Sequence, residues 1–273
     1  EGHVDPKAWP LLAWYLQDEP DVNRVSPEAL RALSVKVAAK DSRPQTFVIG
    51  SADAAPTYAS IGDALMLDWY PVPHLPLDSV ADQIDKTLEA LAPGKPLWFV
   101  VQAFDWREEV QRDPKKPRVG RFPEEAEIRF MSYLAVMHGA GGLFYFRLVR
   151  PDGKSLLELP ELWTRVSRVT RELALLKPIF ADGTLATLPF VPDPIAGPEA
   201  RCWRYRGRRY VVLANRNALK RALVPDELLK PRWRPLFQMR RDPREALVGD
   251  GAKWFLKPHQ VLVFEGPWRP FSR

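Results

Sequence analysis

The sequence predicts an α/β chain: part of a parallel β/α barrel over residues 1–180, then a small all-β sandwich domain over 181–273. Three observations carry that expectation. Stretches with period-2 alternation take turns with stretches of helical spacing as far as about Leu176. Polar side chains gather at the C-terminal ends of the strand-like stretches, where a parallel barrel delivers its chemistry. From Gly183 onward helical spacing disappears, and short alternating runs separated by turn residues replace it.

The elements follow in chain order. Leu11 to Glu19 reads as a buried strand. Leu12, Trp14 and Leu16 lie on its apolar face, and Ala13, Tyr15, Gln17 and Glu19 on a face that turns polar toward Pro20, where ladder pairing must stop. Ser26-Pro27-Glu28 is a helix start: a capping hydroxyl, a proline in the first turn and an acid beside it. Leu30, Leu33 and Val37 continue that helix, and Gln45 to Gly50 is a short strand. Ala64 to Tyr70 alternates again, with Leu65, Leu67 and Trp69 opposite Met66, Asp68 and Tyr70. A helix from Ser79 buries Val80, Ile84, Leu88 and Leu91, and Pro96 to Phe104 is the longest strand candidate. The charged run Asp105 to Phe122 lacks periodicity and reads as a functional loop. A helix opens at Pro123 and closes at Gly139. Leu143 to Arg147 is a strand with Tyr145 and Arg147 on one face, and Glu161 to Leu176 is a helix. About five strands precede the joint expected around Pro178, where a complete barrel has about eight. Beyond it, Ala200 to Tyr205 and Arg209 to Ala214 form a hairpin around Arg206-Gly207, with further strands at Trp233 to Met239 and Val261 to Glu265.

The 273 residues are 46% hydrophobic and 27% charged, an ordinary globular balance. One cysteine, Cys202, excludes an intrachain disulfide framework. No apolar run approaches the roughly 20 residues of a membrane helix. The chain opens on Glu1 with no charged-then-apolar leader, which predicts a processed chain or a piece of a longer one. The compartment stays open, with an exported location ahead of the cytoplasm. The net charge of +6 comes from arginines concentrated at Arg201 to Arg209 and Arg232 to Arg244, with Trp203, Tyr205, Tyr210 and Trp233 among them. Acidic residues are spread through the same runs and no nucleic-acid motif appears, so a solvated basic face is expected there and no nucleic-acid partner. His3, His74, His138 and His259 show no ligand spacing, so neither a metal nor a cofactor is expected.

The polar residues at the predicted strand ends form the candidate site: Gln17 and Glu19, Asp68 and Tyr70, Gln102, then Tyr145 and Arg147, with Trp106 among the aromatics at the same level. Carboxylates and amides bind hydroxyls, and aromatic faces stack on the C–H side of a pyranose. A glutamic acid at a half-apolar strand end is suited to protonate a glycosidic oxygen.

The stretch Trp14-Tyr-Leu-Gln-Asp-Glu-Pro20 resembles the acid/base motif that ends the fourth strand in the clan A glycoside hydrolases, of β-galactosidase and related glycosidase type. Leu67-Asp-Trp-Tyr-Pro71 resembles the sixth strand end of those (β/α)8 barrels. Phe130 to Phe146, with His138-Gly-Ala-Gly-Gly142, is similar to their last helix and strand. The resemblance implies a TIM-barrel-like fold that lacks its first three βα units, a poly- or oligosaccharide substrate, and Glu19 as general acid/base. The family's nucleophile is a glutamate near the end of the seventh strand. Here that strand reads Val100-Val-Gln-Ala-Phe-Asp-Trp106, and Gln102 cannot act as a carboxylate. Asp68, with Asp105 beside it, is then the candidate second carboxylate. A carbohydrate-binding barrel with a decayed site and a structural or assembly module are the alternatives. An open half-barrel exposes two edges, so an N-terminal segment or a second chain is expected to complete it.

Overall fold

A computed structural model of the chain describes residues 10–109, 119–237, 247–249 and 253–268. His3, the middle of the Asp105 to Phe122 loop, the last two residues of the strand expected to reach Met239, and Arg240, Arg241 and Arg244 lie outside the described residues.

The first elements are β1 (Trp14–Tyr15), α1 (Pro27–Ala38), β2 (Gln45–Ile49), α2 (Ala55–Tyr58), β3 (Ala64–Asp68), α3 (Ser79–Ala90), β4 (Leu97–Gln102), α4 (Glu125–Met137) and β5 (Gly142–Phe146). Their strands form one sheet in the order β1-β2-β3-β4-β5, with parallel pairing from β1 through β4. This is the partial barrel sheet that the strand–helix alternation predicts. Local chemistry starts the helices. Ser26 Oγ accepts the Ala29 N–H at 3.2 Å, with Pro27 and Glu28 in the first turn of α1. Glu124 and Glu127 form a capping box at α4, and Arg121 holds the Glu127 carboxylate with two bonds of 2.6 Å.

The first strand departs from expectation. Instead of a buried strand over Leu11 to Glu19, only Trp14–Tyr15 is regular, and Leu12 and Tyr15 are 66% and 51% exposed. The reason is position. As the last strand in the order it pairs on one side only, whereas β2 and β3 are flanked on both sides and buried throughout.

The chain divides into two compact units. One comprises the described residues up to Trp69 with Asp82–Val100 and Gly139–Phe144; the other comprises Tyr70–Ala81, Val101–His138 and the described residues from Tyr145 on. In the first, Phe47, Ile49, Leu65, Leu67, Ile84, Leu97 and Phe99 are fully buried or nearly so. Thr87 joins that core, its hydroxyl satisfied by the Gln83 carbonyl at 2.8 Å.

The second unit continues with α5 (Pro160–Asp182), β6 (Thr184–Leu185), β7 (Glu199–Tyr205), β8 (Arg208–Ala214), β9 (Ala222–Leu223), β10 (Arg234–Leu236), β11 (Val248–Gly249), β12 (Trp254–Leu256) and β13 (Val261–Pro267). The joint expected around Pro178 falls inside α5, which runs on to Asp182. An antiparallel sheet ordered β10-β13-β8-β7-β6 and a three-stranded sheet ordered β11-β12-β9 follow. Cys202, Val211, Leu213, Leu262 and Phe264 of the larger sheet pack with Val224, Leu228, Trp233 and Leu256 in one core. Burial there pushes the Cys202 thiol up to about 11. Arg206 and Gly207 turn the β7–β8 hairpin, both with left-handed φ, at 47° and 71°. On the helical side, buried Arg129 of α4 donates Nε to Glu172 of α5 at 3.0 Å and Nη1 to the Val261 carbonyl at 2.5 Å; the Tyr133 hydroxyl donates to Glu172 at 2.6 Å. Among the described residues no helix is long and apolar enough to cross a membrane.

Candidate active site

In the first unit, β1 docks on the β2 side through Trp14 N–H to the Pro44 carbonyl at 2.7 Å and Leu16 N–H to the Thr46 carbonyl at 2.8 Å. The chain then turns tightly. Gln17 and Asn23 donate their side-chain N–H groups to the Asp18 carbonyl at 3.1 and 2.8 Å, and the Asn23 backbone N–H reaches the Glu19 carbonyl at 2.8 Å. Glu19 sits at φ +36°, in the left-handed region that a side chain with a Cβ seldom occupies. These bonds hold that backbone in place. Gln17, expected to touch substrate, donates here to the turn that presents Glu19.

The Glu19 carboxylate lies over Gly50, just past the end of β2. A Cβ on Gly50 would stand 3.2 Å from Glu19 Oε1 and 2.9 Å from Val22 Cγ2. The Gly50 N–H meanwhile donates to both Asp21 carboxylate oxygens at 3.2 Å. Gly50 is therefore clearance for the carboxylate, a role that neither alternation nor spacing reveals. We expect Gly50→Ala to push the Glu19 side chain aside and to shift its carboxyl titration, followed by NMR, with about 10-fold or more lost from any turnover it supports. An unshifted Glu19 titration in that variant refutes the assignment.

Tyr15 donates its hydroxyl to Asp18 Oδ1 at 2.6 Å. Its phenol is held well above the usual range, first by burial of the hydroxyl, then by the Asp18 bond and by the charges of Asp18, Asp68 and Glu19. Three carboxylates thus act on one phenol. Asp68, the last residue of β3, is buried. The sequence puts Tyr15 on one face with Gln17 and Glu19 and gives it no role of its own there.

The second unit holds the remaining candidates, and the structure divides them. Tyr70, Phe104, Trp106 and Phe146 form an aromatic cluster. Tyr70 stacks on Phe146 with centroids 5.7 Å apart and an interplanar angle of 22°, while Phe104 meets Tyr70 edge-on at 5.0 Å and Trp106 at 5.1 Å. Trp106 Nε1 donates to the Tyr70 carbonyl at 3.3 Å. The Arg147 guanidinium lies 5.2 Å from the Phe146 ring and 5.7 Å from Phe104, and pairs with Glu109 at 2.7 Å. Phe146, absent from the sequence-based candidates, is exposed at the end of β5 and completes the aromatic cluster.

Gln102 and Tyr145 have other partners. Gln102 is 0% exposed. Its Oε1 accepts the Val72 N–H at 2.8 Å, and its Nε2 donates to the carbonyls of Val72 at 2.8 Å and Phe104 at 3.2 Å. It closes a backbone-like pair with Val72 and anchors the loop after β3. Tyr145 was expected on one face with Arg147, but its hydroxyl meets Ser132 Oγ of α4 at 3.0 Å. Ser132 donates its own proton to the Ile128 carbonyl at 2.7 Å, so Tyr145 is the donor to Ser132, and burial raises its phenol to about 12. A half-buried phenol needs a partner, and α4 supplies it.

Asp105, the other candidate second carboxylate, is buried and caps the short 3₁₀ turn Trp106–Glu108. It accepts Arg107 N at 2.8 Å, Nε at 2.9 Å and Nη2 at 2.5 Å. Burial alone would raise its carboxyl, yet the Arg107 side-chain and backbone bonds outweigh it and hold the group below the usual range. A Cβ on Gly120 would stand 2.2 Å from Asp105 Oδ1, so the carboxylate is enclosed as well as paired. Among the described residues no group of three or more His, Cys, Asp or Glu could hold a metal ion.

No family model matches the chain, and no curated protein does. Solved structures do. The alpha-amylase from Geobacillus thermoleovorans, complexed with acarbose, is 13% identical over 93% of this chain and 60% of its own, with a TM-score of 0.50. An Anoxybacillus alpha-amylase is 13% identical over 93% and 59%, also with a TM-score of 0.50. The chain therefore spans about 60% of the length of these structures. At this identity the likeness is one of fold: the chain carries part of a (β/α)8 barrel, followed in sequence by a small β domain.

Proposed function

We propose that this protein is a glycoside hydrolase-like protein acting on a poly- or oligosaccharide, with Glu19 as general acid/base and Asp68 as the second carboxylate. The observation that carries this reading is the Glu19 carboxylate held over Gly50 by a constrained turn, with Asp68 buried at the end of β3 of the same unit. Glycoside hydrolysis needs one carboxylic acid to protonate the leaving oxygen and a second carboxylate as nucleophile or base. Asp105 is locked by Arg107, which leaves Asp68 for the second role. Within the second unit, taken by itself, the aromatic cluster with Arg147 is a stacking surface of the kind a sugar ring uses. A panel of oligosaccharides scored for turnover and for binding tests the reading. Turnover on at least one glycan supports it, and binding without turnover transfers support to a non-catalytic carbohydrate-binding barrel. That second reading draws on Gln102, whose amide stands where the resemblance implies a nucleophile and is bonded to Val72 and Phe104.

We also infer that β1 and β5, the outer strands of the sheet, are covered by further strands from another segment or chain. Leu12 and Tyr15 beside one edge and Phe144 and Phe146 at the other are exposed. Sedimentation equilibrium of the 273-residue chain should show self-association. A monomer that fails to bind a hydrophobic dye refutes this inference.

A further inference from the structure

The turn after β1 converges on Gly50 at the end of β2. Pro20 has no N–H for a ladder, and the pairing of β1 with β2 fades just before it. Leu16 N–H donates to the Thr46 carbonyl at 2.8 Å, and Val48 N–H reaches the Gln17 carbonyl at 3.4 Å. Two residues further along β2, the Gly50 N–H donates to a side chain instead, shared between the Asp21 oxygens at 3.2 Å. The turn uses its own carbonyls internally: Glu19 accepts the Asn23 N–H at 2.8 Å and Pro20 accepts the Val25 N–H at 2.9 Å. Asp21 thus supplies the acceptor that a strand carbonyl would give, at the point where β1 leaves the sheet.

The same turn covers the other side of Gly50. Glu19 Oε1 and Val22 Cγ2 lie 3.2 and 2.9 Å from the point where a Cβ would stand. Asp21, between them in sequence, takes the N–H. At the far end of the turn, buried Tyr58 donates its hydroxyl to the Val25 carbonyl at 2.7 Å. The bonds from Gln17 and Asn23 fix the shape of the turn; the Asp21 bond fixes where that shape sits on β2. We propose that Asp21 is a positioning residue for Glu19, acting through the Gly50 backbone. Both Asp21 oxygens face that N–H, an arrangement suited to holding and not to reacting. A general acid must stand within hydrogen-bond reach of the leaving oxygen, so a turn that slides on β2 carries the Glu19 carboxylate out of reach. The proposal rests on the reading of Glu19 as general acid/base and adds to it the contact that sets the carboxylate over β2.

The test uses the intact chain, Asp21→Ala and Asp21→Asn. In the parent, the Gly50 amide resonance should follow the ionisation of Asp21, and Gly50 Hα should show nuclear Overhauser contacts to the Val22 methyl and the Glu19 side chain. Asp21→Ala removes the acceptor. We expect it to lose those contacts, to speed Gly50 amide exchange about 10-fold or more, and to lower kcat on the best glycan of the panel about 10-fold with KM within about 2-fold. Asp21→Asn keeps an oxygen for the same N–H and should restore the contacts and most of kcat. Contacts that persist in Asp21→Ala, or an Asn variant as impaired as the Ala variant, overturn the proposal. If Asp21→Ala does not fold, the parent decides: a Gly50 amide that ignores the ionisation of Asp21 overturns it equally. A parent chain without turnover counts against the hydrolase reading, while the Gly50 contacts still judge this placement. Turnover that Asp21→Ala leaves intact counts against this proposal alone.

Discussion

On the proposed hydrolase reading, Glu19→Gln is expected to lower glycoside turnover by about 10²–10⁴-fold while leaving sugar affinity within several-fold of the parent chain. The substitution keeps the shape of the side chain and removes its titrating proton. The interaction lost is made mainly in the transition state, where the leaving oxygen takes up that proton. The carboxylate rests over Gly50 and the backbone at φ +36° is held through Asn23, so the amide occupies the same place. Asp68→Asn should produce a loss of similar size if Asp68 is the partner carboxylate. The distance between the two carboxyls then predicts stereochemistry: about 5–5.5 Å implies retention, and about 6.5–9.5 Å leaves room for a water and implies inversion. Steady-state kinetics and isothermal titration on the best glycan of the panel decide the matter. Undiminished turnover in Glu19→Gln removes it as the acid/base. An equal fall in affinity and turnover makes it a binding group.

Arg129→Ala is expected to destabilise the second unit by about 3–5 kcal/mol. Arg129 and Glu172 are both nearly inaccessible, with side chains 4% and 10% exposed, and their closest approach is 2.5 Å. Truncating the arginine leaves the Glu172 carboxylate buried with the Tyr133 hydroxyl, and leaves the Val261 carbonyl without its Nη1 donor. The cost is that of an uncompensated buried charge, which exceeds the net contribution of the intact pair. The double variant Arg129→Met/Glu172→Leu removes both charges and should recover much of the loss. Thermal or denaturant unfolding of the three proteins provides the check. A single variant as stable as the parent would show that the network contributes little to holding α4, α5 and β13.

Local chemistry was legible without coordinates. Ser26-Pro27-Glu28 starts α1 because the cap, the fixed proline φ and the first-turn acid act within a few residues of one another. Arg206-Gly207 turns the hairpin for the same reason. The alternation of period-2 and helical stretches was enough for a parallel sheet with five strands and an antiparallel domain after it. Glu19, Asp68, Tyr70, Trp106 and Arg147 could be nominated from strand ends alone. Which contacts they and their neighbours make depends on partners far along the chain. Gln102 pairs with Val72, 30 residues away; Tyr145 finds Ser132, 13 residues away; the Glu19 carboxylate rests on Gly50, a residue that looks like an ordinary strand end. Leu12 and Tyr15 read as parts of a buried strand and lie instead on or beside an edge strand. Periodicity reports which face a side chain occupies and capping reports where an element starts, because both are set by the nearest backbone. The role of a polar group depends on which donor or acceptor lies within about 3 Å, and only tertiary packing decides that.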